Sequence, residues 1–228
     1  MQRVIDVCLS AVALVCLAPV LLPIALMLRV TGEGEVFFQQ PRIGRHQKPF
    51  SLVKFATMLK DSPNLATGTV TVKDDPRVLP LGRFLRKTKL NELPQLVNVL
   101  KGDMSLIGPR PQTPRCFAAF PDDAQQAISQ VRPGLSGIGS IAFRAEEAML
   151  DAADDPDRVY DEVIMPYKGE LEAWYVPRRN VWLNGALIGL TVWMIVRPQA
   201  VSALWRIFPD LPQPPAALCA YFGLDAPH

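Results

Sequence analysis

Residues Val7 to Leu28 form 22 consecutive residues without a charged side chain, and two of them, Pro19 and Pro23, are prolines. A run of this length can cross a hydrocarbon core of roughly 30 Å as a helix. Each internal proline removes a backbone donor and disfavours a straight helix. Two solutions follow. One is a simple transmembrane helix; the other bends near Ala18-Pro19 and returns to the side it entered. The flanks lean only slightly to the second, because Arg3 precedes the run and Arg29, Arg42, Arg45, Lys48, Lys54 and Lys60 follow it, and composition alone leaves both open. Basic residues on both sides prefer the cytoplasmic face and its anionic lipid. A cleaved signal peptide fits poorly with the nearly neutral start (Arg3, Asp6) and the missing small-residue cleavage pattern.

The remaining sequence is long enough for one sizeable domain with appendages. Its charge is uneven. Residues 1–120 hold 16 Lys and Arg against 8 Asp and Glu, and residues 121–228 hold 8 against 14. The basic half has neither a nucleic-acid recognition motif nor interleaved aromatics, which argues against DNA or RNA as partner. The four cysteines (Cys8, Cys16, Cys116, Cys219) form no CxxC pair. A disulfide framework or zinc site is therefore not expected, and a reducing cytoplasm fits.

Patterning predicts an α+β fold: a membrane anchor over 1–30, spanning or re-entrant, a small cytoplasmic or interfacial domain over 31–200 with short strands and interfacial amphipathic helices, and a proline-rich tail over 201–228. Glu35–Gln40 reads as a strand and Pro41–Gly44 as a turn; Phe50–Phe55 alternates as a half-buried strand does. Asp61–Thr71 reads as a polar surface loop, and Asp74-Asp75-Pro76-Arg77 as an Asx-Pro turn. Residues 145–172 carry ten carboxylates against Arg158 and Lys168, which predicts a solvated helical surface. Trp174, Tyr175, Arg178, Arg179 and Trp182 lead into Val181–Val196, too short for a span and suited to an interfacial or core helix.

Chemistry concentrates in residues 81–111, LGRFLRKTKLNELPQLVNVLKGDMSLIGPRP. Leu81, Phe84 and Leu85 recur at helical spacing, which turns Arg83, Arg86 and Lys87 away from the apolar face. Asn91 suits a helix N-cap, with Glu92, Leu93 and Pro94 in the first turn and Gly102 as the stop. A helix start presents free N–H groups to a phosphate. Glu92, with Asn91 beside it, can hold a divalent cation that bridges to a diphosphate. Arg86 and Arg110 are candidate phosphate clamps, since a guanidinium fork matches phosphate oxygens; Lys87 adds charge, and Pro109 and Pro111 fix the backbone around Arg110. Residues 131–139, VRPGLSGIG, read as a loop that approaches a ligand closely. There Ser136 is a candidate donor, and Arg144 beyond it a candidate phosphate or nucleotide contact. Against these stand plainer roles: Glu92 complementing a helix dipole, Arg86 and Lys87 as a solvated face, Arg144 paired with Glu146 or Glu147.

In the order LRKT-x-x-x-E-LPQL-x-NVLKGDMSL-x-GPRP, residues 85–111 closely resemble the signature of the bacterial sugar transferases, the monotopic phosphoglycosyl transferases. Phe50–Met58 (FSLVKFATM) resembles the family's F-x-x-x-KFRTM with Ala56 in place of Arg, Asp74–Arg77 its D-P-R and residues 132–137 its P-G-x-[TS]-G element. The resemblance extends over about residues 2–197. It implies a membrane enzyme anchored by a re-entrant helix at the cytoplasmic face of the bacterial inner membrane. Such an enzyme moves a sugar 1-phosphate from a UDP-sugar to undecaprenyl phosphate with Mg2+, releases UMP, and can form homodimers. It also implies that Arg77 belongs to the site. One position departs. The family places Asp-Glu where this chain has Asn91-Glu92, and in the family that Asp attacks the β-phosphate. An amide oxygen is a far poorer nucleophile than a carboxylate. Four readings stand: Glu92 attacks, the lipid phosphate attacks directly, position 91 is substituted to trap substrate, or the chain is a weak or silent relative that binds lipid and nucleotide sugar as a scaffold.

Overall fold

The computed structural model describes residues 1–62, 75–151, 153–197 and 200–224. The expected loop over 61–71 lies outside the described residues from position 63 on, as does Asp74. The chain divides into two compact units, residues 3–41 with 51–102, and residues 42–50 with 103–228.

In the first unit, helix α1 (Gln2–Val30) runs through Pro19 and Pro23. Its most apolar stretch has a mean hydropathy of 2.7 and is 6% buried. Both ends of α1 nevertheless pack on this unit. Near the start, Asp6 and Ser10 are buried, and the Arg3 guanidinium donates to the carbonyls of Val99 (2.5 Å) and Leu100 (2.8 Å). At the far end, Ile24 and Leu28 join Phe55 and Leu85 in one apolar cluster. Between them Val12, Val15, Val20 and Leu22 are exposed. A straight 29-residue helix would separate its ends by roughly 43 Å, and a spanning helix would leave them on opposite sides of a bilayer. Attachment of both ends to one folded unit fits a re-entrant segment.

Strands β1 (Phe37–Ile43) and β2 (Pro49–Phe55) form a two-stranded sheet. So short a connection forces an antiparallel pair. β1 continues through Pro41, where a turn was expected. A two-stranded sheet is all edge, so the missing N–H of Pro41 can face away from the partner. Helix α2 (Pro80–Lys87) buries Leu85 and Gly82. Phe84 does not share that face; it is 55% exposed. A Cβ on Gly82 would stand 2.1 Å from the Thr57 carbonyl oxygen, so glycine is what lets α2 lie against that backbone. Helix α3 (Gln95–Lys101) stops at Gly102 as expected, with φ 99° and its amide bonded to the Asn98 and Val99 carbonyls. The Asn98 side chain clips α3 to β2, accepting from Val53 N–H (3.0 Å) and donating to the Ser51 carbonyl (2.8 Å).

The second unit holds β3 (Ser105–Ile107), α4 (Pro114–Ala118), α5 (Asp122–Ser129), β4 (Gly134–Ser136), α6 (Ile138–Ala142), α7 (Glu146–Asp151), α8 (Pro156–Val159), α9 (Met165–Arg178), α10 (Val181–Val196), α11 (Ala203–Ile207) and α12 (Ala216–Phe222). β3 and β4 pair in parallel, Ser105 with Gly134 and Ile107 with Ser136. Residues 131–139 are thus partly strand. Two of their glycines serve backbone contact: a Cβ on Gly134 would lie 2.1 Å from Gly108 N, and one on Gly137 2.1 Å from Gly108 O.

Helix α9 corrects two expectations. Residues 145–172 are not all solvated surface, since Tyr167, Lys168, Leu171 and Glu172 are buried. Trp174 and Tyr175, expected at a lipid interface, are core residues, and the Tyr175 hydroxyl bonds Asn184 of α10 (2.7 Å). α10 buries Asn184, Leu187, Leu190 and Met194, while Trp182 is 89% exposed and Val192 and Trp193 are exposed. Residues 201–224 are no loose tail either: Leu204, Trp205, Leu211, Leu218 and Phe222 enter the main core. Their prolines lie in the connections outside α11 and α12, where a missing N–H costs no helical bond.

Candidate functional site

In the first unit the site residues hang on the turn between α2 and α3. Lys89 adopts a left-handed backbone (φ 60°), rare for a residue with a side chain, and breaks the α2 direction. Leu90–Glu92 then form a single 3-10 turn, and Pro94, not Asn91, occupies the cap position of α3. Asn91 therefore does not cap a helix. Its side chain is buried, and Oδ1 has no hydrogen-bond partner among the described residues. An unsatisfied buried acceptor costs about 1–3 kcal/mol, so this oxygen is a standing candidate for a donor or a cation.

Glu92 lies in the same turn. Its carboxylate meets Lys54 of β2 at 3.3 Å, with both side chains about one-sixth exposed (17% and 16%). The sequence reading did not single out Lys54 for the candidate site; the signal was its place on the strand segment Phe50–Met58. Arg86 is half-buried on α2, with Nη1 3.8 Å from the Met58 sulfur, and its charge helps hold the Asp75 carboxyl down. Lys87 is exposed.

Arg77 is placed differently from its proposed role. Its guanidinium is buried and directed at Asp75, Nη2 to Oδ2 at 2.6 Å and Nε to Oδ1 at 2.9 Å, with Nη1 donating to the Ser62 carbonyl at 2.9 Å. Hydrogen bonding from Arg77 holds the Asp75 carboxyl below the usual carboxylate range against the opposing effect of burial. This arrangement makes Arg77 the internal partner of Asp75.

In the second unit, Arg110 is half-buried between the buried Pro109 and Pro111. The Arg42 guanidinium donates to the Pro111 carbonyl (3.2 Å), and the Pro109 carbonyl accepts from Gly134 N–H (2.8 Å). Both contacts tie this loop down. The Ser136 hydroxyl is engaged with Thr191 of α10 (2.8 Å). Arg144 sits half-buried in the turn between α6 and α7. Glu146, one of its expected partners, is instead ion-paired with Lys168; the Glu147 side chain lies outside the described residues. Glu172, absent from the sequence reading, is fully buried on α9. Burial raises it to about 7, partly offset by Lys168 and the backbone amides of Arg110 and Gly139.

Among the described residues no three His, Cys, Asp or Glu side chains converge as a metal cluster. Mg2+ does not require one: it binds through one or two oxygen ligands together with substrate phosphates and water. Glu92 and the orphaned Asn91 oxygen are a donor set of that kind.

Residues 1–198 match the family model described as bacterial sugar transferase. An undecaprenyl-phosphate glucose phosphotransferase of Komagataeibacter xylinus is 34% identical over 196 residues, covering 84% of this chain and 35% of that protein. The UDP-glucose:undecaprenyl-phosphate glucose-1-phosphate transferase of Escherichia coli K12 is 34% identical over 199 residues, 84% of this chain and 39% of that protein. The uncharacterized sugar transferase EpsL of Bacillus subtilis is 30% identical over 202 residues, 89% of this chain and 90% of that protein. The chain thus spans little more than a third of the first two relatives and most of the third.

Proposed function

The chain belongs to the bacterial sugar transferase family, and we propose that it moves a sugar 1-phosphate from a UDP-sugar to undecaprenyl phosphate and releases UMP. The observation that carries this reading is the Asn91–Glu92 turn, with a carboxylate held by Lys54 beside a buried, unsatisfied amide oxygen. Glu92 is the only acidic residue between Lys89 and Lys101. Its carboxylate oxygen attacks the sugar-bearing phosphorus, the bond to the UMP oxygen breaks, and UMP leaves. An oxygen of undecaprenyl phosphate then attacks the same phosphorus and frees the carboxylate. Lys54 orients the Glu92 carboxylate before attack, and Arg86 and Lys87 supply positive charge for the phosphates. In the second unit Arg110 and Arg144 are the guanidiniums assigned to phosphate or nucleotide. A Mg2+ ion held by Glu92 and the Asn91 oxygen would neutralise diphosphate charge.

The reaction belongs at the cytoplasmic face of the bacterial inner membrane, with α1 in one leaflet and the exposed apolar face of α10 against lipid. The long uncharged stretch of α1, the attachment of both its ends to one unit, and the basic residues that follow support that placement. One observation favours a second reading: Asn91 stands where the family has its nucleophile, which suits a silent relative that binds substrate as a scaffold. The test is UMP release by the protein in lipid, with undecaprenyl phosphate, Mg2+ and a panel of UDP-sugars, beside Asn91→Asp and Glu92→Gln. The proposal expects wild type to turn over and Glu92→Gln to be inactive. Activity in Asn91→Asp alone would establish the silent relative.

A further inference from the structure

Residues 200–224 lie beyond the segment that matches the family, residues 1–198, yet they are folded into the core of the second unit. From α11, Leu204 and Trp205 are buried; from the connection, Leu211; from α12, Leu218, Cys219 and Phe222. Two donors converge on the Pro212 carbonyl, the Tyr167 hydroxyl at 2.7 Å and the Trp205 indole N–H at 3.0 Å. Asp210 accepts from the Trp174 indole and from Arg178 Nε, each at 3.2 Å. The addition is therefore anchored along α9 at several points.

Its end reaches one particular turn. Phe143, the last residue before Arg144, is 4% exposed. Its ring stacks on Tyr221 of α12 (centroids 6.1 Å, planes 22° apart) and meets Phe222 edge-on at 5.4 Å. Tyr167 of α9 closes a third side at 6.2 Å, and the Lys168 ammonium lies 5.2 Å from the same ring centroid. On the other side of Arg144, the Ala145 backbone and the Glu146 carboxylate lie close enough to the Tyr221 hydroxyl to act on its ionisation. Burial dominates and holds that phenol un-ionised, pushed up to about 12. Phe143, the residue before Arg144, is thus held by α12, while the arginine itself stays half-buried at the turn.

We propose that the C-terminal addition is a brace that fixes the Phe143–Ala145 turn, with Tyr221 and Phe222 as positioning residues for Arg144. This rests on the reading above in assigning Arg144 to phosphate or nucleotide. A long guanidinium side chain on a free turn loses rotamer and backbone entropy each time it engages a ligand. A turn clamped by three aromatic rings has already lost the backbone share. With Arg144 on the nucleotide sugar, the brace acts on nucleotide-sugar affinity and not on that of the lipid acceptor.

The test uses the full chain in lipid with two substitutions, Phe222→Leu, which thins the clamp, and Tyr221→Phe, which keeps the ring and removes only the hydroxyl. Two readouts are taken. Hydrogen exchange of amides 143–146 reports the brace itself and needs no activity. Steady-state UMP release reports KM for the UDP-sugar and for undecaprenyl phosphate, each variant being measured alone and with Arg144→Ala. The brace predicts at least tenfold faster exchange at 143–146 in Phe222→Leu. It also predicts a rise of about tenfold in KM for the UDP-sugar with KM for the acceptor unchanged, and no further rise when Phe222→Leu is added to Arg144→Ala. Tyr221→Phe should show the same pattern more weakly. Unchanged exchange in both variants overturns the proposal. So does a Phe222→Leu effect that multiplies with that of Arg144→Ala, because the ring would then act on fold stability at large. If wild type releases no UMP, or Arg144→Ala leaves KM for the UDP-sugar unchanged, the site assignment falls and the positioning role with it. The exchange data still report whether α12 holds the turn.

Discussion

Asp75→Ala isolates the strongest electrostatic commitment in the first unit. Asp75 and Arg77 form a two-point pair whose side chains are 0% and 6% exposed, so removal of the carboxylate leaves a buried guanidinium without its counter-charge, although Nη1 still donates to the Ser62 carbonyl. Breaking a buried pair from one side costs about 3–5 kcal/mol, equivalent to between two and four orders of magnitude in a local opening equilibrium. The four tryptophans, at 174, 182, 193 and 205, all belong to the second unit, so intrinsic fluorescence would not follow this loss. Hydrogen exchange in lipid would, read at Val78, whose amide bonds the Asp75 carbonyl (3.0 Å), and at Leu59, whose amide bonds the Arg77 carbonyl (2.9 Å). Asp75→Ala should speed exchange at both by at least a hundredfold. Asp75→Ala with Arg77→Met, which removes both charges and their desolvation, should recover most of the protection. The sign with pH follows from the lowered carboxyl. The pair's contribution is fully present above the unfolded carboxyl's range near pH 4 and is lost as pH falls through the still lower folded value. Exchange within threefold of wild type in the single variant, or a double variant worse than both singles, would refute the reasoning.

Two further outcomes follow from single side chains. Lys54→Met should lower UMP release about tenfold, the effect of about 1.4 kcal/mol on a partly buried pair, while Lys54→Arg stays within threefold; equal activity in all three proteins would remove Lys54 from the site. Glu172→Gln should flatten a fall in stability with rising pH. The buried carboxyl keeps its proton to about pH 7 while the unfolded one loses it near 4.5, so wild type is weakened by about 3 kcal/mol across that window. Urea unfolding followed by tryptophan fluorescence at pH 5 and pH 8 measures it, and an unchanged wild-type slope in the variant would contradict the assignment.

Much of the architecture was legible because local chemistry and tertiary structure agree. β2, the stop of α3 at Gly102 and α10 over Val181–Val196 fall where alternation, a left-handed glycine and an apolar run put them. Flanking charge and two prolines left α1 open between spanning and re-entrant, the family resemblance decided for re-entrant, and the fold supports that through contacts at the two ends that no local pattern encodes. Asn91 misled because a good capping residue sits beside Lys89, whose left-handed backbone starts a separate 3-10 turn. The glycines of 131–139 resembled a ligand loop; in the fold Gly134 and Gly137 let the backbone touch Gly108, a contact 26 or more residues away in sequence, and Gly139 lies against Glu172. The acidic run over 145–172 hid a buried ion-paired lysine and a buried glutamate, since charge count alone does not say which face turns inward. The C-terminal prolines suggested a tail, and only the burial of Leu211, Leu218 and Phe222 reveals the folded addition.

The central claim is that Glu92, not position 91, carries the reacting carboxylate. Intact-protein mass spectrometry after incubation with UDP-sugar and Mg2+, with undecaprenyl phosphate withheld, tests it most directly. The account predicts a sugar-phosphate adduct on the wild-type chain that maps to the peptide holding Glu92, disappears when undecaprenyl phosphate is added, and is absent from Glu92→Gln. An adduct that forms only in Asn91→Asp, or one that persists in Glu92→Gln, would contradict it.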